Sequence, residues 1–236
     1  MYYGWRAKIG LIIPAPGPAP EREFNKYAPE GVAVLTQRML FEKVDHDGLA
    51  ALGDQAVEAA KLLAAGRPDL LVFGCTTGSL IKGAGYDQEL IRRMEDAVGI
   101  RAVTTSTAVL EALRALGAKR IVVSTPYSDA VNETEKAFLE DNGFEVLSIK
   151  GLGYTDPIRM PMTTFDQMYR LSGEVMDSRA DVLFVSCTGL GIADGIPMLE
   201  RDFRIPVITS NQTSLWYALR TLSIRDALPL GRLFTL

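Results

Sequence analysis

The chain has 236 residues, 47% hydrophobic and 23% charged, with a net charge of −4, two cysteines and one histidine. That length holds one large domain or two lobes with a core each, and a mildly acidic balance without a basic run argues against nucleic acid as a partner. No apolar stretch approaches the ~20 residues of a membrane span, and the patch at 9–13 is too short for a signal-peptide core and runs straight into Pro14, so the expected compartment is the cytoplasm.

In chain order, residues 8–13 predict an apolar strand ending in a proline-rich turn at 14–20. Residues 21–27 open a short helix, and 31–35 form a second strand. Residues 49–65 are rich in Ala and Leu, with Glu58 and Lys61 on a polar side, which is the spacing of an amphipathic helix. Gly66, Arg67 and Pro68 stop it, and the apolar strand 69–75 runs up to Cys75. Helix 88–98, strand 102–105 and helix 106–116 follow, with Gly117 as a C-terminal stop. The second half reads strand 120–124, helix 128–142 closed by Gly143, strand 144–149, helix 164–176 and strand 181–186, which leads into Cys187. Helix 197–203, strand 206–209 and helix 214–222 complete the series.

The two cysteine strands, D-L-L-V-F-G-C and D-V-L-F-V-S-C, are the same stretch twice, 112 residues apart. The offset recurs elsewhere. Ile9 falls on Ile121, Pro14 on Pro126, Gly31 on Gly143, Val34 on Val146, and Asp54-Gln55 on Asp166-Gln167. Several separated matches in one register indicate a duplicated unit, and so long a period means two similar lobes. Strands alternating with helices predict parallel sheets covered on both faces. The expected fold is α/β: two pseudo-symmetric lobes, each a mostly parallel four-stranded sheet flanked by helices, with the active site in the cleft between them. The first lobe would span residues 1–117 and carry Cys75. The second would span 118–236 and carry Cys187, with exchange of terminal segments between them left open. Ligands gather at the carboxyl ends of such strands, where Pro14, Cys75, Thr125, Cys187 and Ser210 all stand.

Each cysteine is followed at once by small residues: Thr76, Thr77, Gly78 and Ser79 after Cys75, Thr188 and Gly189 after Cys187. Small residues let the backbone approach a ligand, and exposed N–H groups with Thr hydroxyls form a nest for a carboxylate or an enediolate oxygen. The same nest is expected to lower a thiol pKa. A single cysteine at a buried strand end is usually an inert core residue. Two at duplicated positions, each followed by hydroxyls and glycine, point to chemistry on both faces of one planar carbon. A redox pair is weaker without C-x-x-C, and a reducing compartment disfavours a structural disulfide. His46 and the cysteines lack metal-site spacing, and no phosphate-binding loop is present, so neither a metal nor a cofactor is expected.

With these cysteine motifs, the stretches S-T-A-V-L-E-A-L-R-A-L-G at 106–117 and T-P-Y-S-D-A-V-N at 125–132, and the terminal G-R-L-F at 231–234, the chain resembles the aspartate/glutamate racemase superfamily. The nearest branch holds maleate cis–trans isomerases and arylmalonate decarboxylases. The resemblance implies that Cys75 and Cys187 are the paired catalytic cysteines, with Cys75 as nucleophile and Cys187 as proton donor. It also implies that Tyr127 and Thr76 hold the substrate carboxylate, and Thr77, Thr188 and Gly189 are similar in place and chemistry. The decarboxylases have glycine where Cys75 stands. Asn132 reads as a helix cap. Maleate isomerases carry a gripping asparagine after the first strand, where this chain has Pro14-Ala15-Pro16-Gly17-Pro18, and a second after L-G, where it has Tyr154-Thr155-Asp156-Pro157. Arg38, Lys82 and Arg159 are the charges that could replace them. The apolar loop at Pro14 instead suits a substrate with a hydrophobic group.

The expected activity is that of a cofactor-independent two-cysteine isomerase on a small carboxylate or dicarboxylate, either cis–trans isomerase or racemase. The alternatives are an arylmalonate-type decarboxylase protonating through Cys187, and a non-catalytic carboxylate-binding protein. A homo-oligomer is expected on general grounds.

Overall fold

Alternating apolar strands and amphipathic helices leave each strand with two faces to cover, and the chain covers them with its own helices. The computed structural model describes residues 2–236. The first half runs β1 (Ala7–Pro14), α1 (Ala19–Tyr27), β2 (Val32–Met39), α2 (His46–Ala64), β3 (Leu70–Phe73), α3 (Thr76–Leu80), α4 (Tyr86–Val98), β4 (Ala102–Thr104) and α5 (Thr105–Ala115). The second runs β5 (Arg120–Tyr127), α6 (Asp129–Asp141), β6 (Glu145–Tyr154), α7 (Phe165–Val175), β7 (Val182–Val185), α8 (Ile196–Phe203), β8 (Val207–Thr209) and α9 (Ser210–Thr221). Short 3₁₀ turns lie at Met160–Met162, Ala193–Gly195 and Arg232–Thr235.

The strands form two four-stranded sheets of matching order, β2-β1-β3-β4 and β6-β5-β7-β8. Every pairing is parallel, as expected. Every residue of β3 and β7 is buried, which is why these strands read as unbroken apolar runs. Helix α2 turns Leu49, Leu52, Ala56, Ala59, Ala60 and Leu63 inward, at helical spacing, and leaves Glu58 and Lys61 exposed to pair with each other at 2.7 Å. Gly117 ends α5 at φ +68°, a left-handed conformation that costs glycine least.

The 112-residue offset holds through β3 and β7 and is then lost. β4 ends at Thr104 and β8 at Thr209, an offset of 105. The first half spends the extra residues on the 13-residue α4, where the second has the 8-residue α8. Helix α9 also begins four residues before the expected 214. Thr209 and Gln212 form a capping box there, the Thr209 side chain accepting from the Gln212 N–H and Gln212 Oε1 from the Thr209 N–H. The pattern T-x-x-Q before a helix is a start signal in its own right. Thr104 caps α5 in the same way, accepting from the Thr107 N–H.

Helices α5 and α9 pack on each other, and their first turns are hydroxyl-rich and buried. Ser214 Oγ and Thr105 Oγ1 lie 2.9 Å apart across the contact. Ser79 Oγ donates to the carbonyls of Cys75 and Thr76 at 2.8 and 2.9 Å and lies 2.7 Å from Ser106 Oγ. Small polar side chains let the two halves approach closely while keeping buried donors satisfied. The replacement Thr209→Ala removes one buried cap and is expected to lower stability by about 1 kcal/mol. Urea unfolding should show a lower midpoint at unchanged slope, and an unchanged midpoint would mean that the cap is redundant.

Candidate active site

The carboxyl ends of β1, β2, β3, β5, β6 and β7 converge on one cavity of about 450 Å³, counted to its open mouth. Cys75, Thr77, Tyr127, Cys187, Thr188, Gly189 and Pro14 all line it. Thr76 does not. Its hydroxyl turns away and donates to Ser210 Oγ at 2.8 Å, and Ser210 Oγ also accepts the Cys187 N–H at 3.0 Å. Phe41 and Val44, beyond β2, and Pro157, Met160 and Pro161, beyond β6, complete an apolar wall with Pro14, Pro16 and Pro20. The sequence does not single out Phe41, Val44, Met160 or Pro161, although the duplication signals them. Both groups follow the edge strand of their sheet, next to the strands that carry Pro14 and Tyr127.

Among the described residues that line the cavity none carries a charge. Arg38 instead braces the proline loop, donating to the carbonyls of Ala15 and Gly17 at 2.8 and 3.2 Å. Arg159 lies over the Tyr154 ring and Lys82 over the Tyr86 ring. Asn132 is not the cap it was read as. Its Oδ1 accepts the Thr125 hydroxyl at 2.6 Å, and Thr125 Oγ1 accepts the Tyr127 N–H at 3.0 Å, so Asn132 supports the turn that presents Tyr127. No group of three or more His, Cys, Asp or Glu side chains with metal-site geometry occurs among the described residues.

The two sulfurs sit in unlike backbones. Cys75 is extended at φ −146° and heads α3. Cys187 has φ +127°, a conformation that costs a non-glycine residue of order 1–3 kcal/mol and persists only where the surroundings enforce it. Cys187 Sγ accepts the Gly189 N–H at 3.3 Å and lies 3.7 Å from Met160 Sδ. A side chain at Gly189 would meet Met160 at 3.1 Å and the Cys187 sulfur at 3.4 Å, so glycine permits the close approach.

Both thiols are 5% exposed. Burial pushes Cys75 up to about 12, against the Gly78 N–H and the Thr77 hydroxyl, which pull it down. Burial pushes Cys187 up to about 11, against the Tyr127 hydroxyl and the N–H groups of Gly189 and Leu190. The expectation that the nest lowers a thiol pKa is therefore overturned: desolvation outweighs the hydrogen bonds. At pH 7 a thiol at about 11 is ionised in about one molecule in ten thousand.

Two buried carboxyls bracket the Cys187 segment, and the 112-residue offset relates them. Glu135 Oε1 accepts the Ser186 hydroxyl at 2.6 Å, while Oε2 is buried without a partner. Glu23 accepts the Ala193 N–H at 2.9 Å and Asn211 Nδ2 at 2.8 Å. Asn211 in turn donates to the carbonyls of Thr188 and Leu190. Burial raises both glutamates to about 7.

The arylmalonate decarboxylase family's sequence model matches residues 9–234. Arylmalonate decarboxylase of Bordetella bronchiseptica is 32% identical over 217 residues, 90% of this chain and 89% of that protein. Maleate isomerase of Nocardia farcinica is 27% identical over 96% of this chain and 94% of its own. A solved Nocardia farcinica maleate cis–trans isomerase, a Cys-to-Ser variant with a covalently bound succinylcysteine intermediate, superposes with a TM-score of 0.92 at 23% identity, covering 97% of this chain and 98% of that one. With its two parallel sheets and the cleft between them, this chain belongs to the arylmalonate decarboxylase family.

The buried glutamates set a pH dependence of stability. Glu135 holds its proton to about 7 when folded, against 4.5 as the ordinary value, so between these values the folded state binds more protons than the unfolded one. Stability must then fall as pH rises from 4.5 to 7, by about 3 kcal/mol for this group, and change no further on its account above 7. Glu135→Gln removes that slope. Urea unfolding across pH 4–8 should show the variant gaining on the parent through this window, and parallel curves would refute the buried carboxyl's contribution.

Proposed function

We propose that the protein is a cofactor-independent isomerase in which Cys75 and Cys187 act from opposite sides of a small carboxylate substrate. The observation that carries this reading is that both thiols line one apolar cavity whose walls hold no charged side chain. Of the isomerase chemistries, this lining favours proton transfer at the carbon next to a single carboxylate that bears an apolar group. A maleate-like substrate would bring a second carboxylate, and the cavity offers it no cation.

In the proposed reaction the carboxylate sits in the nest formed by Thr77, Tyr127, Thr188 and the Gly189 N–H. One cysteine, as thiolate, takes the α-proton. The resulting enediolate is held by the same donors, and the thiol on the opposite face delivers its proton to carbon. Before and after reaction the pair carries one proton and one negative charge, while at the enediolate both sulfurs are protonated and the charge lies on the substrate, and the roles of the cysteines exchange with each turnover. Thr76 acts through Ser210, holding the Cys187 peptide in place. Excluding water strengthens the donors.

A second reading is decarboxylation of an arylmalonate-type acid, in which loss of CO₂ generates the enediolate and Cys187 protonates it. The specific observation in its favour is that burial holds Cys187 as the neutral thiol, which is the form a proton donor needs. A cis–trans isomerisation would instead have a thiolate add to the double bond, rotation about the new single bond, and elimination. The Nocardia farcinica relative with its succinylcysteine supports that chemistry as a variant within the fold.

Proton NMR in D₂O separates these readings. With one enantiomer of 2-phenylpropionate, the α-proton signal should disappear and the product racemise, and both Cys75→Ala and Cys187→Ala should lower the rate by at least about a hundredfold. Fumarate from maleate would replace this reading by cis–trans isomerisation. Phenylacetate from phenylmalonate, with Cys75→Ala still active, would replace it by decarboxylation. No reaction with any of them would leave the binding-protein alternative. The pH profile adds an independent check. Racemisation needs one thiolate, so with Cys75 and Cys187 at about 12 and about 11 its rate should rise strongly with pH between 6 and 9. Decarboxylation through the neutral Cys187 should be flat over that range.

A further inference from the structure

Cys187 is the one residue lining the cavity that is not glycine and has a left-handed backbone, and four contacts, from three elements and the loop that follows, hold it. The Cys187 N–H is held by Ser210 on α9, and the Ser186 N–H donates to the Ser124 carbonyl on β5 at 2.9 Å. The Leu190 N–H donates back to the Cys187 carbonyl at 3.2 Å. The fourth contact is the Ser186 hydroxyl on Glu135, from α6. The first three are neutral hydrogen bonds of a usual kind. The fourth spends a fully buried carboxyl, one oxygen of which has no partner, where a neutral side chain could hold the same hydroxyl. A buried carboxyl with an unused oxygen is costly as a structural strut, and its contact with the residue just before Cys187 gives it a second consequence.

We propose that Glu135 is a positioning residue for Cys187: it holds the strained peptide ahead of the thiol through Ser186, and it couples its own charge to that of the sulfur. The proposal rests on the reading of Cys187 as a reacting thiol for its meaning in turnover, but not for its test. The charge of Glu135 opposes ionisation of both Cys187 and Tyr127. Apart from these two, little faces it. α3, which packs on α6, carries only Thr, Gly, Ser and Leu. On β6, Lys150 is exposed and paired with Glu174, Glu145 is exposed at the far end, and Tyr154 lies beneath Arg159. On β5, Arg120 is exposed and paired with Asp181. On α6 itself, Asp129, Glu133, Glu140 and Asp141 are exposed and Lys136 is half-buried. The proton that Glu135 keeps to about pH 7 therefore spares the thiolate a buried like charge below that pH, and its loss restores the repulsion above it. The duplicated Glu23 bears on the other end of the same segment, through Ala193 and Asn211, so both copies of the buried glutamate serve the second cysteine.

The test measures alkylation of Cys187 by iodoacetamide in a Cys75→Ala background, where Cys187 is the sole thiol, from pH 6 to 9. With Glu135 present, the logarithm of the rate should rise with pH, flatten just above 7 as the carboxyl ionises, and then rise again. Glu135→Gln should give one unbroken slope, equal to the parent at pH 6 and roughly tenfold faster near pH 9. Parallel profiles, or a constant ratio at every pH, would leave Glu135 merely structural and overturn the proposal. Ser186→Ala is the second variant. It keeps the carboxyl but removes the hydroxyl that stabilises its charged form, so the break should move to higher pH, and a break that stays in place would also overturn the coupling. Because no substrate is used, this result stands or falls separately from the isomerase reading, which the NMR experiment decides.

Discussion

A buried hydroxyl, Ser210 Oγ, joins the two halves between the segments that carry their cysteines. It accepts the Thr76 hydroxyl from the turn after Cys75 and the backbone N–H of Cys187 itself. Everything the cavity can do depends on the two thiols keeping a fixed relation, and this link is made between the residue following one cysteine and the peptide of the other. The capping box at Thr209 and Gln212 holds Ser210 at the first turn of α9, and the hydroxyl contacts between α5 and α9 hold that helix against the first half. A buried hydroxyl left without its partner would cost about 1–3 kcal/mol, so separating the halves is opposed by polar contacts as well as by apolar burial.

The same closeness buries both thiols, and burial works against their ionisation. Burial drives both sulfurs toward the neutral thiol despite the N–H groups and hydroxyls aimed at them. Those donors matter most once negative charge develops on substrate oxygen, where a low-dielectric surrounding strengthens them. An apolar wall of prolines with Phe41, Val44 and Met160 lines the same cleft and adds to the reluctance of each sulfur to ionise.

Duplication built the site, and divergence gave its two cysteines different surroundings. Cys75 stands in relaxed extended backbone, whereas Cys187 is held in a left-handed conformation by contacts from several elements. The buried glutamates repeat at the same offset, yet both act on the Cys187 segment. Symmetry in the sequence has become asymmetry in the support of the two sulfurs.

Much was legible in the chain alone. The parallel α/β architecture followed from apolar strands alternating with amphipathic helices, because each pattern has its own period. The paired cysteines and Pro14 followed from the duplication and from the rule that ligands gather at strand ends, Thr77, Thr188 and Gly189 from the small residues beside the cysteines, and Tyr127 from the family resemblance. The structure alone revealed that Thr76 turns to Ser210, that Asn132 supports Tyr127 instead of capping a helix, and that Phe41, Val44 and Met160 form the wall. It also reversed the expected shift of the thiols. The reason is common to all of these. Strand and helix periods are local properties of neighbouring residues, while the direction of a hydroxyl, the wall of a cleft and the acidity of a buried sulfur depend on groups distant in sequence, and only the folded chain brings those together.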